Sequence, residues 1–190
     1  MSVRSQNRSY TPEQYLELEE RSEVKHEYRN GEIVEMTGGT TNHNTIIINL
    51  CAYLKFALRG TQYKLYASDV RLWIPNYSTF TYPDIMLVAG DPIYYGTGTT
   101  TVTNPIAIVE VLSKSTQSYD CGEKFQYYRS LPSFQEYIAI DQYAYRIDRY
   151  CKAKDNRWIL TEYNDLEKTL PLATIDFEIA IADLYEGVNF

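Results

Sequence analysis

The chain has 190 residues, 44% of them hydrophobic, enough to bury a sizeable core in one domain and too apolar for a disordered chain. A formal charge of −7 and a pI near 4.9 argue against a protein that coats nucleic acid through a broad basic surface, while leaving room for an enzyme with a local cationic site. No apolar run approaches the roughly 20 residues of a membrane span, and the opening stretch MSVRSQNRSYTPEQY lacks the apolar centre of a secretory signal.

Cys51, Cys121 and Cys151 are odd in number and widely spaced, with no zinc-type pairing, so a reducing cytoplasm is the expected setting. The 19 tyrosines suit half-buried strands, where the ring packs and the hydroxyl reaches water, and they also suit association surfaces.

In chain order, residues 1–10 are polar and expected to be loose. Thr11-Pro12-Glu13-Gln14 is a helix start: Thr11 caps, Pro12 fits the first turn and Gln14 can complete a capping box. Asn30-Gly31 then marks a tight hairpin between Glu27-Tyr28-Arg29 and Glu32-Ile33-Val34. Residues 44–58 predict a helix, with Ile47, Leu50, Cys51, Leu54 and Leu58 on one stripe.

Residues 63–74 and 80–89 predict two strands, and the Gly-, Thr- and Asn-rich stretch 90–105 a loop. Residues 106–112, a nearly unbroken apolar run, belong inside a covered sheet. Residues 119–130 predict a helix with Ser118 as its cap, 136–140 and 144–150 two strands around Asp141-Gln142, and 157–163 an edge strand. The expected fold is α/β, a single domain over 1–190, with a central mixed sheet flanked by helices, an added N-terminal helix and strand, and added C-terminal strands.

Two carboxylates stand inside apolar strands. Alternation puts Tyr82, Asp84, Met86 and Val88 on one face of their strand, and Ile108, Glu110 and Leu112 on one face of theirs. Burying an isolated carboxylate is costly. Two on neighbouring strands can share a divalent cation; magnesium, or manganese in its place, favours such oxygen ligands. A metal-bound water is a better nucleophile, and the ion also steadies charge on a phosphate. The alternative is that each carboxylate ends its strand near solvent or pairs with an arginine.

Tyr82-Pro83-Asp84 followed by Ile108-Val109-Glu110-Val111-Leu112 resembles the metal-binding motifs of PD-(D/E)XK nucleases. The wider order is similar to the Uma-type restriction endonuclease family of that superfamily: Gly31-Glu32-Ile33, Met36 to His43, Pro83-Asp84, Val109-Glu110-Val111-Leu112-Ser113, then Asp120 to Lys124 with Tyr128-Arg129. The resemblance covers roughly residues 11–150. It implies a restriction-endonuclease-like core, Asp84 and Glu110 as metal ligands, and a metal-dependent endonuclease acting on DNA.

The chain departs from the superfamily motif at Leu112, where a lysine usually stands. Lys124 on the following helix is the replacement the family pattern favours; Lys114 has the right parity only if the strand continues. Lys124 could equally form an ion pair with Asp120, four residues earlier, and the two roles are compatible. Glu32 and His43 are supporting candidates, as a further ligand and as a proton shuttle or phosphate contact. Each also has a plain structural reading, as an exposed strand carboxylate and as a helix-start residue, and Asp69 is a lesser candidate. Arg59, Lys64, Arg71, Lys114, Lys124 and Arg129 could line a phosphate groove, and Tyr94, Tyr95, Tyr127 and Tyr128 could stack on bases or pack in the core.

A homodimer is expected if both DNA strands are cut. The missing strand lysine and the acidic charge motivate the alternative, a catalytically inactive module of the same fold that binds a partner.

Overall fold

Thr11 caps the first helix, α1 (Pro12–Glu19), with both halves of the capping box formed: Gln14 N–H donates to Thr11 Oγ1 at 3.2 Å and Thr11 N–H to the Gln14 side chain at 2.9 Å. The computed structural model describes residues 9–113 and 120–190. The expected looseness of the first residues, the Ser118 cap, the onset of its helix and Lys114 lie outside the described residues.

The predicted hairpin is β1 (His26–Arg29) and β2 (Glu32–Glu35), turned by Asn30 and Gly31. Both turn residues have positive φ (46° and 102°), the conformation that matches strand twist and that Gly31 adopts without Cβ strain.

The two strands expected over 63–74 and 80–89 each break in the middle. The first becomes β3 (Tyr63–Ala67) and β4 (Arg71–Ile74); the second becomes β5 (Thr79–Thr81) and β6 (Ile85–Ala89). Ser68 takes φ 56°, and its N–H donates to Asp84 O at 3.0 Å across the bend. Pro83 lacks a donor to continue the ladder. The paired strands therefore leave one sheet and enter another, and Asp84 sits at the corner.

One sheet has five strands in the order β2-β1-β5-β4-β7, β7 (Thr101–Val102) lying within the stretch expected as loop. The other is the central mixed sheet, in the order β11-β10-β9-β8-β6-β3: β8 (Ala107–Leu112) runs parallel to β9 (Glu136–Asp141) and antiparallel to β6. β10 (Ile147–Lys152) and β11 (Trp158–Tyr163) complete it, β11 on the edge as predicted.

Every residue of β8 is buried, and its two faces serve two cores. Ala107, Val109 and Val111 pack against α2 (Thr41–Ala57) through Ile46, Ile47, Leu50 and Leu54, and against the tail hairpin β12 (Thr169–Leu172) and β13 (Phe177–Ala180). Ile108 and Leu112 face Leu72, Ile74 and Val102 of the five-stranded sheet, with Phe125, Tyr128, Leu131 and Phe134. Each such buried aliphatic side chain contributes roughly 1.5–3 kcal/mol.

The central sheet is thus covered by α2 on one side. On the other it is covered by the five-stranded sheet together with the helical segment that carries Phe125 and Tyr128. The predicted helix over 119–130 is a π-helical turn, Asp120–Lys124, running into the short helix α3 (Phe125–Tyr128). A short helix, α4 (Ile181–Leu184), follows β13. Among the described residues no helix is long and apolar enough to cross a membrane.

Candidate active site

The strand register explains why two distant carboxylates meet. β6 pairs with β8 through Ile85 opposite Val109, so one step further Asp84 stands against Glu110. Asp84 Oδ2 accepts the Val111 N–H at 2.7 Å, and His43 Nε2 lies 3.2 Å from the same oxygen. His43 reaches there from the first turn of α2, which begins at Thr41, earlier than predicted, because the Thr40 side chain caps it by accepting His43 N–H at 3.2 Å. Gly39 lets the loop pass over this ring: a Cβ there would stand 2.8 Å from His43 Nδ1.

Glu110 shares the β8 face of Ile108 and Leu112 and is 3% exposed. Its Oε1 accepts the Tyr128 hydroxyl at 2.5 Å and lies 3.3 Å from Lys124 Nζ. Lys124 comes from the π-helical turn and is also buried. Its Nζ is 3.2 Å from Asp120 Oδ1 and 3.3 Å from Glu27 Oε1. Glu27, on β1, is held in turn by Arg29, whose Nε donates at 3.0 Å, and by the Thr81 hydroxyl. Asp120 Oδ1 is buried with this ion contact but no aligned hydrogen bond.

Among the described residues carboxylates outnumber cations here, and the protonation equilibria follow. Burial pushes Glu110 up to about 8, with the charges of Asp84 and Asp120 adding to it against the opposing pull of Lys124. Burial pulls Lys124 down, but Glu110, Glu27, Asp120 and Asp84 outweigh it and hold the ammonium well above its ordinary value. Burial would raise Glu27; Lys124, Thr81 and Arg29 reverse this and lower it. Burial would lower His43, and the Asp84 hydrogen bond and charge, with Asp120, turn the shift upward.

Asp84, Glu110, Lys124 and His43 are thus brought to one place. Together with Asp120 and Tyr143 they line a cleft of about 310 Å³. Glu32 is elsewhere: it is exposed on β2, opposite Arg29 in the hairpin, and lines a separate cleft with Tyr77 and Tyr127. Asp69 pairs with Lys25 on the surface. Leu112 is a packed core residue. The basic residues expected to share a groove are dispersed: Arg71 is buried against Thr100 and Thr101, Arg59 lies over Phe56 and Arg129 over Phe125.

Sequence reasoning missed Glu27, although a signal existed. The Asn30-Gly31 turn fixes the register, and that register puts Glu27 opposite Val34, a carboxylate facing an apolar partner. Tyr128, expected to stack on bases or pack in the core, is a core residue whose hydroxyl serves Glu110. Gln142, also missed, is buried; its Nε2 donates to Leu112 O at 2.8 Å and its Oε1 accepts the Thr40 hydroxyl, tying the end of β8 to the start of α2.

The family model described as "Uma2: Putative restriction endonuclease" matches residues 12–182. This chain belongs to the Uma2 family. It is 40% identical over 162 residues to uncharacterized protein sll1609 of Synechocystis sp. (strain ATCC 27184 / PCC 6803 / Kazusa), covering 85% of this chain and 92% of that one. It is 36% identical over 180 residues to uncharacterized protein slr1290 of the same organism, covering 95% and 93%.

A crystal structure described as a putative nuclease belonging to DUF820, from Anabaena variabilis ATCC 29413, superposes with a TM-score of 0.77 at 16% identity, covering 95% of this chain and 99% of that one. At that identity the likeness establishes the shared fold.

Asp84, just before β6, and Glu110, on β8, bring carboxylate oxygens side by side, the ligand type a hard divalent cation prefers. Among the described residues no group of three or more His, Cys, Asp or Glu side chains is arranged to hold a metal ion, which leaves Asp84 and Glu110 as two oxygen donors lining one cleft.

Proposed function

We propose that this Uma2-family protein is a metal-dependent nuclease that hydrolyses phosphodiester bonds in DNA. The observation that carries the reading is the placement of Lys124 Nζ 3.3 Å from Glu110 Oε1, in the cleft that also holds Asp84. A cation absent from β8 is supplied from the turn that follows it.

A magnesium ion, or manganese, held by Asp84 and Glu110 would supply Lewis-acid stabilisation of the phosphate and lower the pKa of a bound water. The chain's own residues do the rest. Lys124 stays charged in a buried setting and can donate to a phosphate oxygen or orient the attacking water. Glu27 and Asp120 hold its ammonium in place, and Tyr128 fixes the Glu110 carboxylate. His43 donates to Asp84 Oδ2 and fixes that rotamer, leaving the other oxygen to a ligand.

One observation favours a second reading, a nuclease-fold module that binds without cutting: the Lys124 ammonium is already met by three carboxylates. Cleavage of labelled DNA in magnesium or manganese separates the two. The wild type should cut and Asp84→Asn should not. Cleavage undiminished in that variant rejects the assignment of the site, and no cleavage by either protein favours the binding module.

A further inference from the structure

We propose that the protein docks DNA at a second place, a cationic cleft between the C-terminal end of α2 and the edge strand β3, which holds backbone phosphates that flank the site of cleavage. The inference rests on the nuclease reading above and extends it to how the substrate is held.

Arg59 and Lys64, dispersed from the other basic residues of the expected groove, meet here with Lys55. Gly60 turns the chain between helix and strand, and the three cations line one cleft with Tyr63 and Tyr66. No carboxylate lines that cleft among the described residues. All three cationic side chains are exposed, and none forms an ion pair among the described residues; Arg59 lies over the Phe56 ring, 5.4 Å from its centroid.

Much of the positive charge elsewhere is already answered: Lys25 by Asp69, Arg29 by Glu27, Arg146 by Asp148, Arg149 by Glu136 and Arg157 by Asp155. In a chain of net charge −7, three cations gathered without a carboxylate reverse the local field and attract an anion. Lys55, in the last turn of α2, and Arg59, just past it, also answer the negative end of the helix dipole. Lys64 has no such role, because it comes from β3. Nearby acidic residues stand aside: Asp183 and Glu186 lie by Tyr53 on the opposite flank of α2, and Asp91 approaches the rim by Tyr66.

The same two elements lead to the reacting groups. At the other end of α2 and β3, Asn44, Ile47 and Ser68 line a cleft with His43 and Asp84. Lys55 lies along α2 from His43 by about 18 Å, at 1.5 Å per residue. Each strand of a duplex carries a phosphate every 3.4 Å of axis, so this span is about five base pairs. A phosphate held at Asp84 and Glu110 therefore has neighbours on its own duplex within reach of Lys55, Arg59 and Lys64.

The test is fluorescence anisotropy of a fluorescein-labelled duplex of about 20 base pairs in EDTA, so that binding is read without cutting. The wild type is compared with Lys55→Gln/Arg59→Gln/Lys64→Gln and with a control of equal charge change, Lys152→Gln/Lys154→Gln/Lys168→Gln. Three phosphate contacts contribute about 2.7 to the slope of log affinity against log salt, so between about 50 and 200 mM salt the wild-type affinity should fall about 40-fold more than that of the first variant. The control should follow the wild type. In magnesium, the first variant should raise KM for the same duplex and leave kcat as it is.

The same affinity and slope in the wild type and the first variant overturns the inference, as does a control that loses as much, or a wild type that binds no DNA. If Asp84→Asn still abolishes cleavage, the nuclease reading stands without the docking cleft. Binding that depends on the three cations, with no cleavage in magnesium or manganese, keeps the docking cleft and removes the nuclease reading.

Discussion

Replacing Lys124 by Met, a side chain of similar length without charge, removes the one ammonium shared by Glu27, Glu110 and Asp120. Each contact of 3.2–3.3 Å is worth about 5 kcal/mol gross at an effective dielectric of 20. Most of that is cancelled by the cost of desolvating the ammonium and by repulsion among the carboxylates. Breaking a buried ion network by removing one partner costs about 3–5 kcal/mol, a large part of the roughly 5–15 kcal/mol available to a domain. Melting should fall by about 6–20 °C, taking 2–4 °C per kcal/mol at this length.

The loss should depend on pH. Glu110 is raised, so the fold binds its proton more tightly than the unfolded chain does, and its contribution falls as pH rises from the carboxylate range through about 8. Lys124 opposes that shift, so without it Glu110 rises further and the decline continues to higher pH. Lys124 is itself raised; its stabilisation is fully present below the ordinary lysine pKa and is lost only as pH climbs through the folded value. Urea unfolding at pH 5.5 and pH 9 should therefore show a larger deficit for Lys124→Met at pH 9, by on the order of 1 kcal/mol. A deficit under about 1 kcal/mol at both pH values, the scale of a surface ion pair, would refute the buried-cation reasoning.

Glu27→Gln keeps the shape but removes one of the charges that raise Lys124, so the alkaline limb of the pH–rate profile should move to lower pH; an unmoved limb would show that Glu27 does not act on Lys124. Gly39→Ala places a Cβ 2.8 Å from His43 Nδ1 and should push the ring off Asp84. The imidazole titration followed by NMR should then drop, because the Asp84 contact raises it, and an unchanged titration would show that the loop yields instead. Ile108→Ala in the middle of β8 should cost about 2–5 kcal/mol in urea unfolding with little change in Mg²⁺ affinity, and a smaller cost would mean that this core relaxes around the cavity.

Much of the central sheet was legible because local signals and global packing agree there. The run from Ile106 to Leu112 reads as a doubly covered strand and is one, and Asn30-Gly31 reads as a hairpin and turns one. The bend that splits residues 63–89 between two sheets was hidden. Both halves carry strand-forming side chains, and the break is set by Ser68 in a left-handed conformation and by Pro83, which local alternation does not weigh. The second covering layer was hidden for a related reason: a buried strand looks the same under a sheet as under a helix.

In the site, Asp84 and Glu110 could be singled out because a carboxylate in an apolar strand is conspicuous, and the resemblance pointed to Lys124. Glu27 was not, because its burial depends on β1 pairing with β5, a contact between residues some 50 positions apart. Glu32 sits across the same hairpin on an exposed position, so the two acidic residues flanking the turn trade roles once the sheet forms.

On the proposed mechanism Asp84 and Glu110 together hold a divalent cation. Calorimetric titration of magnesium and of manganese into the wild type, Asp84→Asn and Glu110→Gln tests it most directly. Saturable binding in the wild type that both variants lose is the expected result; heats that are the same in all three proteins, or no binding in any, would refute the shared site.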